Sequence, residues 1–328
     1  MEMFNQAFQE RNVNNNRAQA VDRAIPANNR DIIILGGWYG PGNNEISNTV
    51  ENFNIVEGKS IYLPSLNYPR TESASCVSND VVFIAGGYDG QAGTDTIEVL
   101  KMNQHPLRWM MFEGKLPVKL FAHVAIAHKG KLFIIGGDAH KEERKISYGI
   151  YEVCLTPPYI SKLLARMPRP RRNHSAELVN DKLFIMGGTT TGFNEDAIDS
   201  VVAYDLIKNE FKPCTPLLQP IHRMSTVSWG NMVILIGGSD KYGRSLNDVI
   251  MYDTETGQSE RLPSLKRKRR GCFAVMIDDL IVVMGGKNDK QGCLNSVESY
   301  TMGSDQWREL PGMTEKRRYA TAVLNPCN

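Results

Sequence analysis

The fold of this chain is decided by the stretch KLFIMGG at residues 182–188, which recurs in variant form along the sequence. In each copy a short β-branched or aromatic run leads into two adjacent glycines. The first glycines of the six copies are separated by 50, 50, 51, 50 and 48 residues, and they are Gly36, Gly86, Gly136, Gly187, Gly237 and Gly285. A period this regular indicates one structural unit repeated six times.

The run before each glycine pair predicts a buried β-strand, because it is short, apolar and rich in β-branched residues. We call it strand B, and its copies read DIIIL, DVVFIA, KLFII, KLFIM, MVILI and LIVVM. Glycine suits its end because it adopts positive φ and lets neighbouring backbone approach closely. A phosphate-binding loop would need a helix after the glycines. A polar loop and another strand follow instead, which argues against such a loop.

Three further strands complete each repeat. Strand A begins sixteen residues before the first glycine, at Arg70, Leu120, Arg171, Ile221 and Arg269. Strand C carries a large residue at Phe53, Leu100, Tyr151, Tyr204, Tyr252 and Tyr300. Strand D follows a turn and carries Trp109, Phe211 or Trp307. The repeat therefore predicts a four-stranded antiparallel unit, in which the recurring arginine is expected to be structural.

The sequence SYTMGSDQW at residues 299–307 places Tyr300 seven residues before Trp307. Together with the glycine pairs and the arginine that heads strand A, this pattern resembles the kelch-repeat family over residues 31–324. The resemblance implies an all-β fold: a six-bladed β-propeller with four antiparallel strands per blade.

The two ends of the repeat region are complementary. Residues 32–35 form a strand B with no strand A before it, whereas RRYATAVL at residues 317–324 is a strand A with no glycine pair after it. We therefore expect the C-terminal strand to complete the first blade and close the ring. The propeller would span residues 31–328, and residues 1–30 would be a polar tail or linker.

Composition narrows the classes of partner. A formal net charge of +2 over 328 residues lacks the positive field of a dedicated nucleic-acid binder, and no apolar window suggests a membrane partner. Six cysteines without a CxxC pair predict reduced thiols. The KRKRR run at residues 266–270 resembles a nuclear import signal, but the repeat places it in a short ordered loop. We expect a cytoplasmic protein, with the nucleus as the alternative.

No HExxH, GxSxG or P-loop motif occurs, so the sequence predicts no enzyme, no catalytic residue, no cofactor and no metal site. His123 and His174 share one repeat position, thirteen residues before the glycine, which favours packing over metal binding. Basic neighbours could lower the thiol pKa of Cys272 or Cys293, although inert buried thiols are the favoured interpretation.

The loops between strands B and C and between strands D and A should surround one end of the propeller channel. Extra basic residues there would favour an acidic peptide, and aromatic residues would anchor it. The candidate partner-binding residues are Trp38, Tyr39, Tyr88, Asp89, Arg172, Asn173, Arg223, Lys266, Arg267, Lys268, Arg270, Arg318 and Tyr319.

The chain resembles the substrate-recognition kelch domain of BTB-BACK-kelch adaptors of cullin ubiquitin ligases, which implies a protein or peptide partner. Residues 1–30 are too short and polar to form a BTB or BACK domain, so a link to a cullin ligase would need a BTB domain outside this chain. The alternatives are an actin-binding or scaffold kelch protein and, third, a propeller enzyme.

Overall fold

A computed structural model describes residues 31–40, 45–139 and 145–327. The expectation of a polar tail at residues 1–30 falls outside these ranges. Six four-stranded antiparallel sheets are arranged as the blades of a β-propeller, which confirms the predicted fold. No helix of the described residues has the length and apolar character needed to span a bilayer.

The strands follow the order predicted from the repeat. Blade one contains β1 (Asp31–Leu35), β2 (Val50–Asn54) and β3 (Lys59–Leu63). Blade two contains β4 (Ala74–Ser78), β5 (Val81–Ala85), β6 (Ile97–Lys101) and β7 (Trp109–Met111). Blade three contains β8 (Val124–His128), β9 (Lys131–Ile135), β10 (Gly149–Cys154) and β11 (Ser161–Arg166).

The second half of the ring repeats this order. Blade four contains β12 (Ser175–Val179), β13 (Lys182–Met186), β14 (Val201–Asp205) and β15 (Glu210–Cys214), with a 3-10 turn at Asn194–Asp196. Blade five contains β16 (Ser225–Trp229), β17 (Met232–Ile236), β18 (Val249–Asp253) and β19 (Ser259–Leu262). Blade six contains β20 (Phe273–Ile277), β21 (Leu280–Met284), β24 (Val297–Thr301) and β25 (Arg308–Leu310), with a small hairpin of β22 (Lys287–Asn288) and β23 (Gly292–Cys293).

The C-terminal strand closes the ring as predicted. Strand β26 (Thr321–Leu324) pairs antiparallel with β1, so Val323 lies opposite Ile33. It is the innermost strand of blade one and lies between the innermost strands of blades two and six, β4 and β20. The first blade is therefore assembled from both ends of the propeller sequence.

Each strand B is apolar at successive positions because both of its faces are buried between blades. In β1, Ile32 and Ile34 pack into the core shared with blade six. The alternate residues, Ile33 and Leu35, pack into the core shared with blade two. The propeller thus has one core between each pair of neighbouring blades rather than a single central core.

The glycine pairs are required by close approaches between strands. Gly187 has a φ of +60°, and a Cβ on it would lie 2.4 Å from the carbonyl oxygen of Ile221 in the next blade. A Cβ on Gly188 would lie 2.6 Å from the Cβ of His174. The N–H of Gly188 donates to that same Ile221 oxygen at 2.9 Å, so the pair joins two blades. This confirms the structural interpretation of the glycines.

The arginines that head strand A are buried and structural. Arg70, Arg269 and Arg317 form ion pairs with Glu98, Glu298 and Glu51, and all six side chains are nearly or fully excluded from solvent. Each arginine also donates to the carbonyl of the first glycine, as Arg269 does to Gly285 at 2.8 Å. These clamps tie the start of strand A to strands B and C of the same blade.

Blade four keeps the arginine without the carboxylate. Arg171 is 1% exposed and donates to the carbonyls of Gly187 and Ser200 and to the Ser200 hydroxyl. The position of the carboxylate is occupied by Val202, which lies opposite Ile185 in the sheet. Burial without a counter-ion lowers the pKa of Arg171 to about 10.

In blade three the register corrects one feature of the predicted repeat. Tyr151 lies opposite Ile134, the place that Glu51 takes opposite Ile34 in blade one. The residue equivalent to Phe53 and Tyr300 is therefore Val153, opposite Leu132, and not Tyr151. On its other side β10 pairs with β11 through a bulge, in which Leu164 is the extra residue between the partners of Ile150 and Tyr151.

Candidate functional site

The channel mouth is built from a closed ring of backbone hydrogen bonds. One residue of each blade, two positions after the start of the strand A segment, has a φ between +51° and +57°. Its N–H donates a hydrogen bond of 2.7–3.1 Å to the carbonyl oxygen of the residue at the same position in a neighbouring blade. These six residues are Glu72, Ala122, Asn173, Arg223, Gly271 and Tyr319. The ring fixes the backbone around a small cavity of about 130 Å³ that the same residues line. We call this region the channel mouth.

Four of the predicted residues meet at the channel mouth and form a stack that we call the arginine–aromatic ladder. The guanidinium carbon of Arg318 lies 4.7 Å from the centre of the Trp38 ring and 5.7 Å from that of Tyr319. The guanidinium carbon of Arg223 lies 5.9 Å from the same Tyr319 ring. Both arginines therefore lie within cation–π distance of the Tyr319 ring.

Gly271 makes room for the ladder. Its φ is +57°, and a Cβ on it would lie 2.4 Å from two carbons of the Tyr319 ring. The Tyr319 ring thus leans over the backbone of blade six, between Arg223 of blade five and Arg318 of blade one. Any side chain at position 271 would displace it.

The ladder arginines differ from the other predicted arginines in their charge partners. Arg172 pairs with Asp138 at 2.5 Å and Glu72 at 3.3 Å, and Arg270 pairs with Asp289. Arg223 and Arg318, by contrast, have no carboxylate partner within the described ranges; the buried Nε of each lacks a hydrogen-bond acceptor there, as does that of Arg172. Two positive charges at the channel mouth are therefore not neutralised by any carboxylate that the structure describes, and such charges attract anions.

The KRKRR loop is ordered by a buried carboxylate. Glu298 accepts hydrogen bonds from the backbone N–H of Lys266 at 2.7 Å and of Arg267 at 3.1 Å, as well as from Arg269. The Arg267 side chain pairs with Glu309 at the outer edge of blade six. Lys266 and Lys268 are exposed on this loop, away from the channel mouth, so they form an outer basic edge.

The remaining candidates lie at the same end of the propeller in different environments. Tyr39 is 49% exposed, whereas Tyr88 is buried against Phe121, with ring centres 5.5 Å apart, and offers little area to a partner. The carboxylate of Asp89 accepts the N–H groups of Gln91 and Ala92 and so stabilises its own turn. Asn173 belongs to the hydrogen-bonded ring of the channel mouth.

Sequence reasoning missed two exposed aromatics in the loops after strand B. Phe193 in blade four is 46% exposed and Tyr242 in blade five is 69% exposed. Their loops touch, because a Cβ on Gly243 would lie 2.5 Å from the amide nitrogen of Asn194. Both aromatics were visible in the sequences TTTGFNED and SDKYGR, but their exposure depends on how adjacent loops pack.

Below the mouth, the histidines are packing residues. His123 and His174 are buried, and each lies against the first glycine of the preceding blade, Gly86 and Gly136 respectively. Burial lowers the pKa of His123 to about 4 and that of His174 to about 3. His222 is also buried, and its pKa is lowered to about 3. All three are neutral in the folded protein near pH 7.

The buried histidines predict a loss of stability in mild acid. Because their pKa values are lower in the folded state than the ordinary 6.5, the unfolded chain binds more protons, so stability falls as pH drops from about 6.5 towards 4. Each histidine should contribute about 2 kcal/mol of this loss between pH 7 and pH 5. Denaturant unfolding at several pH values measures it.

His174→Asn should show a smaller loss than the wild type, by about 2 kcal/mol. The matched control is His105→Asn, because His105 is exposed in a loop. Other groups titrate in the same range, Glu177 among them, whose pKa burial raises to about 7. The comparison therefore rests on the difference between the variants, and identical pH profiles for all three proteins would contradict the assignment.

Two further kinds of site chemistry in the region of the channel mouth would be reactive thiols and metal binding. Burial raises the pKa of Cys272 to about 11 and also raises that of Cys293, which opposes thiolate formation near neutral pH. No group of three or more His, Cys, Asp or Glu side chains in the described part of the chain is arranged to hold a metal ion.

Comparisons with known proteins agree with the repeat. Residues 162–325 match the model of the KLHDC2/KLHL20/DRC7 Kelch-repeats domain, and residues 69–105 match that of the Kelch motif. Kelch-like protein 35 of Mus musculus is 23% identical over 264 residues, covering 65% of this chain and 43% of the relative. Beta-scruin of Limulus polyphemus is 26% identical over 217 residues, covering 63% and 23%.

A solved structure shares the fold. The structure described as "Structure of YjhT" superposes with a TM-score of 0.68 at 14% identity, covering 79% of this chain and 88% of that one. The chain spans less than half the length of the curated relatives it matches, 43% for Kelch-like protein 35 and 32% for Kelch-like protein 40 of Xenopus laevis.

Proposed function

This chain belongs to the kelch-repeat family of propeller protein-interaction modules, and we propose that it recognises an acidic segment of a partner protein at its channel mouth. In this proposal it is the substrate-recognition part of a cullin-based ubiquitin-ligase adaptor. The similarity to kelch-like proteins supports that role. A BTB domain for cullin recruitment would have to be supplied outside this chain, and the cytoplasm is the proposed location.

The observation that carries the proposal is the charge imbalance of the arginine–aromatic ladder. Two guanidinium groups flank one tyrosine ring, and neither has a carboxylate partner among the residues the structure describes. Guanidinium groups recognise carboxylates through paired hydrogen bonds, and the adjacent rings of Trp38 and Tyr319 supply apolar contact area. The ring of backbone hydrogen bonds holds these groups in place before a partner arrives.

Removing the two ladder charges should abolish partner recruitment. Proximity labelling with the wild type and with Arg223→Gln/Arg318→Gln should identify proteins lost from the variant. Acidic peptides from those proteins should bind the wild type and lose at least tenfold in affinity, about 1.4 kcal/mol, on the double substitution. Isothermal titration measures this.

The control for lost charge is Lys59→Gln/Lys182→Gln, because these two lysines are exposed on blades one and four away from the mouth. A second variant, Arg267→Glu/Lys268→Glu, tests whether the positive charge of the outer basic edge accelerates association with the acidic peptide. It should slow association and weaken its salt dependence, with little change in dissociation. Equal peptide affinities for the ladder variant and the lysine control would remove the channel mouth from the binding site.

An actin-binding or scaffold role is the alternative that the family resemblance allows. Co-sedimentation with actin filaments distinguishes it, because a filament-binding propeller would pellet with actin in the absence of any acidic peptide. Retention of that binding in the ladder variant would place the actin site elsewhere on the surface.

A further inference from the structure

We propose that the ladder arginines bind a phosphorylated serine or threonine of the partner rather than a single carboxylate side chain. The inference rests on the proposed function, because it concerns the group that enters the same channel mouth. It goes further by naming the chemistry of that group, a phosphate dianion.

The charged side chains around the channel mouth indicate which ligand charge they would neutralise. The positions that form the mouth and its adjoining bridges carry five cationic side chains, which are Arg172, Arg223, Arg270, Arg318 and Lys287. Among the described residues, Arg172 pairs with Glu72 and Asp138, and Arg270 pairs with Asp289. The two ladder guanidinium groups have no such ion pair there, and their combined charge matches that of a phosphate dianion.

The paired carboxylates are not distributed evenly around the ring. Asp138 and Glu72 are held by Arg172 on the side of blades two to four. Arg223 and Arg318, which have no ion pair among the described residues, lie on the side of blades five, six and one, where the Tyr319 ring lies over Gly271. Lys287 is half-buried on this side, and its pKa is lowered by burial first and then by the nearby charges of Arg318 and Arg270.

Phosphate offers more acceptors than a carboxylate in this arrangement. Arg223 and Arg318 contact Tyr319 from separate blades, so a single carboxylate would have to share its two oxygens between two guanidinium groups. A phosphate has three terminal oxygens and can accept from two guanidinium groups at once. The mouth cavity of about 130 Å³ has room for such a group but not for a larger cofactor.

The test compares two probes on the full chain: serine phosphate and glutamate, each capped as the N-acetyl N-methylamide. At pH 7.5 the phosphoserine probe should bind at least tenfold more tightly than the glutamate probe, measured by NMR titration. Its affinity should fall several-fold between pH 7 and pH 5, because the second phosphate pKa is about 6, while the glutamate probe should change little.

Two substitutions of Arg318 and one control variant separate the explanations, with folding verified by thermal melting. Arg318→Gln should reduce the phosphoserine preference to less than threefold, and Arg318→Lys should restore part of the affinity but not its full value, since lysine lacks the fork. The control, Lys182→Gln, replaces an exposed lysine away from the mouth and should leave the preference unchanged.

Each outcome decides between the two proposals. If both probes bind equally and both lose affinity in Arg318→Gln, the mouth is an anion site without phosphate selectivity; the proposed function stands and the phosphate inference is overturned. If neither probe responds to Arg318→Gln, the mouth is not the anion site and both proposals fall. A preference above tenfold that disappears only in the ladder variants supports both.

Discussion

Removing residues 317–328 should abolish the cooperative unfolding transition of the propeller at temperatures where the full chain is folded. The deletion takes away β26, which pairs with β1 and lies between β4 and β20. It also removes Arg317 and leaves Glu51 buried without its ion-pair partner. Loss of a buried partner alone costs about 3–5 kcal/mol, a large part of the total stability of about 5–15 kcal/mol for a domain.

Two shorter deletions separate the causes of this effect. Removing only residues 327 and 328 is the control, because Cys327 is exposed beyond the last strand, and it should leave the melting temperature unchanged. Removing residues 319–328 keeps Arg317 and its pair with Glu51 but still deletes β26. Cooperative melting of the 317–328 deletion at the wild-type temperature would show that ring closure does not stabilise the blades.

The repeat made the fold predictable because one spacing determines all six blades. Each strand B begins and ends within one residue of the predicted run. The first blade, which is built from both ends of the propeller sequence, was predicted by matching RRYATAVL to the other strand A sequences. The misplacement of Tyr151 was not predictable, because only the register of β10 against β9 shows that Val153, and not Tyr151, lies opposite Leu132. Local deviations from a period are decided by packing.

The candidate site was predictable in its location and not in its charge balance. Sequence position placed Arg172, Arg223, Arg270 and Arg318 together at one end of the channel. It could not show that Asp138 and Asp289 neutralise two of them, because those partners come from loops of different blades or from distant parts of one blade. The stack on Tyr319 likewise depends on positive φ and on the absence of a side chain at Gly271.

Breaking the Arg269–Glu298 pair on one side should destabilise the protein more than replacing both residues. Arg269→Ile should cost about 3–5 kcal/mol, because Glu298 would remain fully buried with a negative charge and only the N–H groups of Lys266 and Arg267 as partners. Glu298→Val should cost less. The chain already tolerates that arrangement in blade four, where Arg171 bonds only to carbonyls and a hydroxyl.

The double variant Arg269→Ile/Glu298→Val approximates blade five, where the equivalent residues are the apolar Ile221 and Ile250, both buried. Its cost should fall short of the sum of the two single costs by at least about 2 kcal/mol in a denaturant double-mutant cycle. In Glu298→Val, hydrogen exchange should also accelerate at Lys266 and Arg267, whose N–H groups lose their acceptor. Additive costs would mean that the arginine and the carboxylate stabilise the blade independently, through their separate backbone contacts rather than through each other.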